Sequence, residues 1–319
     1  MSKSQAKYIA SLLLFGSNGI VASQILLPSY QTVLLRTFLG AALLVAVLLL
    51  SRQELVGRKH IKQSAALFVS GAALGISWIF LFRAYQVIGV GTSTLLYYLG
   101  PVIVMALAPV LLHERLGAAK LACFGAVVLG AFLVVSQGMS GAASLEGVLC
   151  GLGAAAFYAV MVIAGKASPD VKGLEASTIQ LVASFAVVAV YTLVVGGLQP
   201  IQLSFVPAIA MLGIVNTGIG CYLYFTSIAQ LNVQSVSVLG YLEPLSSVVM
   251  SALVLGEPLG PGRILGAALV LGGALACELV GSRKAGDRAP QPESPRPRFQ
   301  LVHSHQEAGA TEGSSLRAA

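Results

Sequence analysis

The sequence predicts an all-α integral membrane protein of ten transmembrane helices, arranged as two inverted five-helix repeats. Composition is the first reason. Of 319 residues, 56% are hydrophobic and 10% charged, with mean hydropathy +0.86, whereas soluble domains carry about 25% charged residues. A water-soluble globule made from this chain would lack the polar surface to cover itself. The second reason is a succession of apolar runs of spanning length, and the third is an ungapped match of the chain to itself.

A helix crosses a hydrocarbon core of about 30 Å with about 20 apolar residues. Such runs lie near 8–27, 31–50, 64–86, 92–112, 118–137, 146–165, 175–195, 205–227, 233–255 and 262–281. They are continuously apolar, where a membrane barrel would alternate along each strand. The first run follows Lys3 and Lys7, as in a signal peptide, but it extends to about Leu27 without an Ala-x-Ala site and is read as the first span. Lys and Arg in the short connections set the orientation. With the N-terminus inside, the inner side holds Lys3, Lys7, Arg52, Arg58, Lys59, Lys62, Arg115, Lys120, Lys166, Lys172, Arg283 and Lys284, against Arg36, Arg83 and Arg263 on the outer side. Both termini are therefore expected in the cytoplasm, with the chain in the inner or plasma membrane.

The net charge of +7 belongs to loops and tail. Without an aromatic-interleaved basic patch it reads as membrane orientation, and nucleic acid is not expected as a partner. The Pro-, Ser- and charge-rich segment 283–319 is read as a disordered cytoplasmic tail. Cys123, Cys150, Cys221 and Cys277 lie in apolar runs without Cys-x-x-Cys spacing, as small packing residues would. The histidines are scattered, so no metal site is expected, and no cofactor. Gly165-Lys166 resembles the end of a P-loop, but Ala167 replaces Ser/Thr and Val160 stands where the first glycine belongs. Enzyme chemistry is not expected.

The self-match pairs residues 95–117 with 238–260 at an offset of 143. It aligns Tyr98 with Tyr241, Pro101 with Pro244, Glu114 with Glu257 and Gly117 with Gly260. Leucines could coincide through composition, but two tyrosines, two prolines and two glutamates at one offset mark a duplication. The domains are thus 1–137, 138–282 and the tail. Five spans per copy is odd, so the second copy enters with opposite polarity, an arrangement found in secondary transporters with a midplane site at the repeat interface.

Together with Phe-Gly-Ser-Asn at 15–18, Leu-Glu-Pro-Leu at 242–245 and Gly-Glu at 256–257, this duplication resembles the drug/metabolite transporter superfamily, EamA type, over residues 8–281. The resemblance implies a carrier, often an exporter of amino acids or related metabolites.

Within the spans, Pro101 and Pro244 should free the carbonyls of Tyr97 and Gly240 and kink their helices. Freed carbonyls at membrane depth need protein or water as partners, which suits helices lining a cavity; the alternative is kinks that serve packing alone. Glu243 sits near the middle of span nine. A carboxylate there costs about 2.5–3.5 kcal/mol on the insertion scale and should face the bundle interior. It suits proton coupling or amine binding, or else it satisfies a freed carbonyl structurally. Glu114 and Glu257, beside arginines at span ends, read as solvated interfacial groups. Arg36 and Arg83 are expected to snorkel to the outer headgroups, with Arg83 alternatively meeting an anionic substrate group. Asn18, Trp78, Tyr97, Tyr98, Tyr158, Asn216, Tyr222, Tyr224 and Tyr241 complete the candidate lining. Gly71/Gly75, Gly147/Gly151 and Gly262/Gly266 read as close helix contacts.

The expected function is alternating-access transport of a small polar metabolite, with protons as a candidate coupling ion and a monomer or homodimer in the bilayer. The alternatives are a passive channel and an accessory subunit of a lipid-modifying enzyme. The latter would need a polar cluster at one membrane face that the sequence lacks.

Overall fold

The computed structural model describes residues 3–51, 53, 55–112, 118–136, 142–228, 231 and 239–286. The tail beyond residue 286, Glu114, Arg115 and the start of span nine lie outside them. Every described element is helical. α1 (Lys3–Gly16) and α2 (Asn18–Ala22) form the first rod, followed by α3 (Ser29–Ser51) and α4 (Ile61–Ile88). α5 (Val90–Tyr97) and α6 (Leu99–Leu112) form the fourth rod and α7 (Ala118–Ser136) the fifth. The second half begins with α8 (Ala142–Lys166) and α9 (Gly173–Val195). Next comes a composite rod of α10 (Val206–Ala210), a π-helical stretch Met211–Ile219 and α11 (Gly220–Ile228). α12 (Leu242–Leu255) and α13 (Pro261–Gly286) complete the described residues. Among the described residues, five segments are individually long and apolar enough to cross a membrane: Ser29–Ser51, Ile61–Ile88, Leu145–Lys166, Gly173–Val195 and Leu203–Tyr224.

The connections assort onto two faces. On one, Tyr30 Oη donates to Gly197 O (3.1 Å), Gln31 Nε2 to Gln199 O (2.7 Å) and Gln86 Nε2 to Leu27 O (2.9 Å). On the other, Val56 and Gly57 N–H donate to the Glu175 carboxylate (3.1 and 2.9 Å), and Gln63 Nε2 donates to Asp170 Oδ2 (2.6 Å). Connections after odd-numbered rods thus meet one another, as do those after even-numbered rods. Consecutive rods therefore alternate in direction, and five per copy inverts the second.

Small residues let the rods approach. A Cβ on Gly71 would strike the Gln180 backbone, and one on Gly75 would come within 2.9 Å of Ser184 O. This glycine face holds α9 against α4, tied by Ser184 Oγ donating to Gly71 O at 2.7 Å. Gly130 and Gly266 do the same for α7 and α13: a Cβ on either would lie within 2.8 Å of the other's carbonyl. With no hydrophobic drive between helices in lipid, such contacts and interhelical hydrogen bonds carry the association.

The two prolines break their rods outright. Tyr98 (φ −71°, ψ 0°) interrupts the helix three residues before Pro101, and Tyr241 (φ −70°, ψ −7°) three residues before Pro244. Each proline then falls in the first turn of the following helix, where its missing N–H leaves no helical bond unmade. The duplication has preserved a paired one-residue interruption beside the two prolines.

Candidate functional site

The first break, at Tyr98, and the first turn of α12, at Glu243, border a cavity of about 230 Å³ walled by both repeats. Of the residues singled out in the sequence, Asn18, Trp78, Tyr97, Tyr98, Pro101, Tyr158, Tyr224 and Glu243 line it. The offset that relates the repeats also relates its walls, pairing Phe15 with Tyr158, Asn18 with Met161, Trp78 with Cys221, and Leu81 with Tyr224, all of them lining residues. The chamber is therefore built around the pseudo-symmetry between the two copies.

Its polar groups do not repeat. Glu243 enters from the first turn of α12 and shares the cavity wall with Tyr98 and Arg36. Thr94 Oγ1 and Ser247 Oγ share a hydrogen bond of 3.0 Å across the junction of the repeats. Tyr97 packs edge-on against Tyr158 with ring centroids 5.2 Å apart, so aromatic faces make up much of the wall.

The other singled-out residues lie elsewhere. Asn216, fully buried on the π-helical stretch, stands behind the wall: its Nδ2 donates to Leu14 O (2.8 Å), Ser17 Oγ (2.9 Å) and Asn18 Oδ1 (3.2 Å). It holds the break between α1 and α2, and so presents Asn18 to the cavity. Tyr241 packs among the apolar side chains between α7 and α13. Tyr222 is 39% exposed on the outside of the bundle. Pro244 is buried and does not reach the cavity. Arg83 faces outward too, its Nε 2.7 Å from Glu146 Oε1 with both side chains about half exposed.

Two expectations change. Arg36 does not snorkel: it is 2% exposed and lines the cavity. It lies seven residues inside Ser29 on α3, about 10 Å along the helix axis, too deep for its side chain to favour the interface over the interior. Glu257 is not a solvated partner of Arg263. Its carboxylate accepts from Val90 N–H (2.6 Å) and Gly91 N–H (3.1 Å), satisfying the exposed amides at the start of α5. Sequence reasoning also missed Tyr85, Thr94, Gln180 and Ser247 in the wall. For Arg36 the signal was present, since a cation two turns inside a span is a functional candidate by default.

A helical bundle that crosses the bilayer many times, with a metabolite-sized chamber between two inverted copies, defines a membrane transporter. The chain belongs to the EamA-like transporter family, whose model matches residues 6–136 and again residues 145–277. It is 25% identical to the uncharacterized transporter YxxF of Bacillus subtilis (strain 168), covering 86% of this chain and 88% of that protein. It is 26% identical to the uncharacterized protein PA1977 of Pseudomonas aeruginosa, over 83% and 91% of the two chains. A solved crystal structure shares the fold with TM-score 0.60 at 19% identity, over 89% of this chain and 99% of that one.

Proposed function

We propose that the protein is a secondary carrier of the inner or plasma membrane, with both termini cytoplasmic and repeats bounded at 1–137 and 138–282. It exports a small polar metabolite, an amino acid or related compound, by alternating access, with Glu243 as the proton-coupling group. The cavity carries this reading: both copies contribute to its wall, so rocking one copy against the other would expose it to each side in turn. Its volume of about 230 Å³ is below the range of roughly 300–1,000 Å³ for drug-sized sites, which favours a metabolite. Glu243 is the acid among the lining residues, and its place beside a helix break puts it where a change in helix angle alters its hydration.

The test is solute accumulation in proteoliposomes with and without an imposed proton gradient. A carrier accumulates substrate against its gradient when the proton gradient is present, whereas a channel only equilibrates it. Orientation is checked by cysteine labelling: Gly197→Cys should react from outside, and Gly57→Cys and Gly173→Cys from inside. Reaction of Gly57→Cys only from outside would reverse the assigned polarity.

A further inference from the structure

We infer that Arg36 is the substrate-anchoring residue of the cavity, binding a carboxylate, while Glu243 receives a protonated amine of the same zwitterionic molecule. This rests on the reading of the cavity as the substrate site and goes beyond it by naming the recognition chemistry.

The argument begins with how Arg36 is held. Its Nε donates to Thr217 Oγ1 at 3.1 Å, and its guanidinium carbon lies 4.1 Å from the Trp78 ring centroid and 5.0 Å from that of Phe82. Thr217 is free to accept because its own hydroxyl donates to Leu212 O, five residues back along the π-helical stretch, at 2.7 Å. One edge and one face of the guanidinium are therefore fixed. The terminal nitrogens have no hydrogen-bond partner among the described residues, and the side chain borders the cavity. A planar fork fixed in this way is preorganised for the two oxygens of a carboxylate.

The charge around it points the same way. The titratable groups near Arg36 are Cys221, Tyr85, Tyr97 and Glu243, of which only Glu243 is a carboxylic acid. Among the described residues, Arg36 and Glu243 do not form an ion pair with each other, although both line one cavity. A cation and an acid facing a shared space without meeting leave room for a molecule that carries the opposite charges. An amine alone would leave the buried guanidinium of Arg36 unpaired, and a carboxylic acid alone would leave the Glu243 carboxylate so.

Trp78 is the single tryptophan of the chain and touches Arg36, so its fluorescence reports occupancy without any transport. The purified full-length protein is titrated with the standard L-amino acids, their decarboxylated amines and their deaminated carboxylic acids. At least one amino acid should give a saturable change, with its amine and its acid binding about tenfold or more weaker, the scale of a lost charged hydrogen bond. Arg36→Gln should abolish the response and Arg36→Lys should weaken it, while Arg83→Gln, outside the cavity, should leave it unchanged. The inference is overturned if the amine binds as tightly as its amino acid, if no amino acid gives a saturable response, or if Arg36→Gln binds like wild type. The wild-type panel decides the matter even where Arg36→Gln does not fold. Zwitterion binding without proteoliposome transport would sink the carrier reading alone, and transport of an uncharged solute without zwitterion binding would sink this inference alone.

Discussion

Gly100 and Glu243 occupy the same position in the two copies, each just before a paired proline, and their surroundings explain why only one is an acid. A Cβ on Gly100 would lie 2.5 Å from Tyr158 Cδ1 and 3.2 Å from Ala155 O, so the Tyr158 ring takes the space a side chain would need. Around Glu243 of the second copy, the counterpart of Tyr158 is Phe15 of the first copy, whose ring leans on Tyr224 with centroids 5.9 Å apart. The third rods differ likewise. α4 is a regular helix with Trp78 in the wall, whereas its counterpart contains the π-helical stretch that supplies Asn216 and Thr217. A symmetric frame thus holds an asymmetric set of polar groups. Helix breaks and small-residue contacts survive duplication because both copies need them, while the charges diverge because one substrate fills one cavity.

The largest expected effect tests the acid. Glu243→Gln keeps the size and most of the hydrogen bonding but cannot ionise. It should insert normally and lose accumulation driven by a pH gradient, together with the pH dependence of the transport rate. Wild-type rate and pH profile in this variant would make Glu243 structural and remove the functional half of the contrast with Gly100.

The second test approaches from the glycine side. Gly100→Ala forces Tyr158 to move, and overpacking of this kind costs about 1–3 kcal/mol. Transport should fall about tenfold if that strain acts on the transport step, and Tyr158→Ala in the same chain should restore much of the loss in thermal stability. If Gly100→Ala alone matches wild type in both measurements, steric exclusion is not why the first copy lacks an acid.

A smaller effect is expected at the start of α5. Glu257→Gln removes the charge but leaves an acceptor for Val90 and Gly91 N–H, and capping interactions of this kind contribute about 1 kcal/mol. Thermal unfolding of the purified protein should shift down by a few degrees with the substrate preference unchanged. A change in preference would mean that the α5 terminus reaches the site directly.

What was legible in the sequence follows the same division. Spans, duplication and paired prolines could be read because lipid imposes length and apolarity on every crossing, and because duplication leaves matched residues at one offset. Trp78, Tyr98, Tyr158 and Glu243 were picked out for being polar or aromatic at depth, and they meet in the wall. Tyr222 and Tyr241 satisfied the same criterion yet face outward or pack between helices, since depth alone does not fix which side of a helix points inward. Asn216 was legible as polar but not as the clasp of the first rod, because its partners, Leu14 O and Ser17 Oγ, are about 200 residues away and lie at a break that no proline marks. The π-helical stretch that aims Thr217 at Arg36 has no pattern in the sequence that distinguishes it from an α-helix.

The smallest effect is expected at Arg83, and it separates two arginines that look alike in sequence. Both lie inside the end of a span on the same face of the bundle, but Arg36 is 2% exposed, whereas the Arg83 side chain is 46% exposed and paired with Glu146. An exposed pair of this kind contributes about 0.2–1 kcal/mol. It joins α4 to α8, which are already held together by Ser77 Oγ donating to Ala154 O at 2.7 Å and Ser70 Oγ donating to Met161 O at 2.7 Å. Losing the ion pair therefore leaves the interface tied at two buried points. Arg83→Ala should transport at the wild-type rate with the same substrate preference, and its melting temperature should drop by no more than a degree or two, less at high salt where the pair is already screened. A changed substrate preference in Arg83→Ala would place an anion-binding group at this end of the bundle as well, and the division between a repeated frame and a single charged chamber would have to be redrawn.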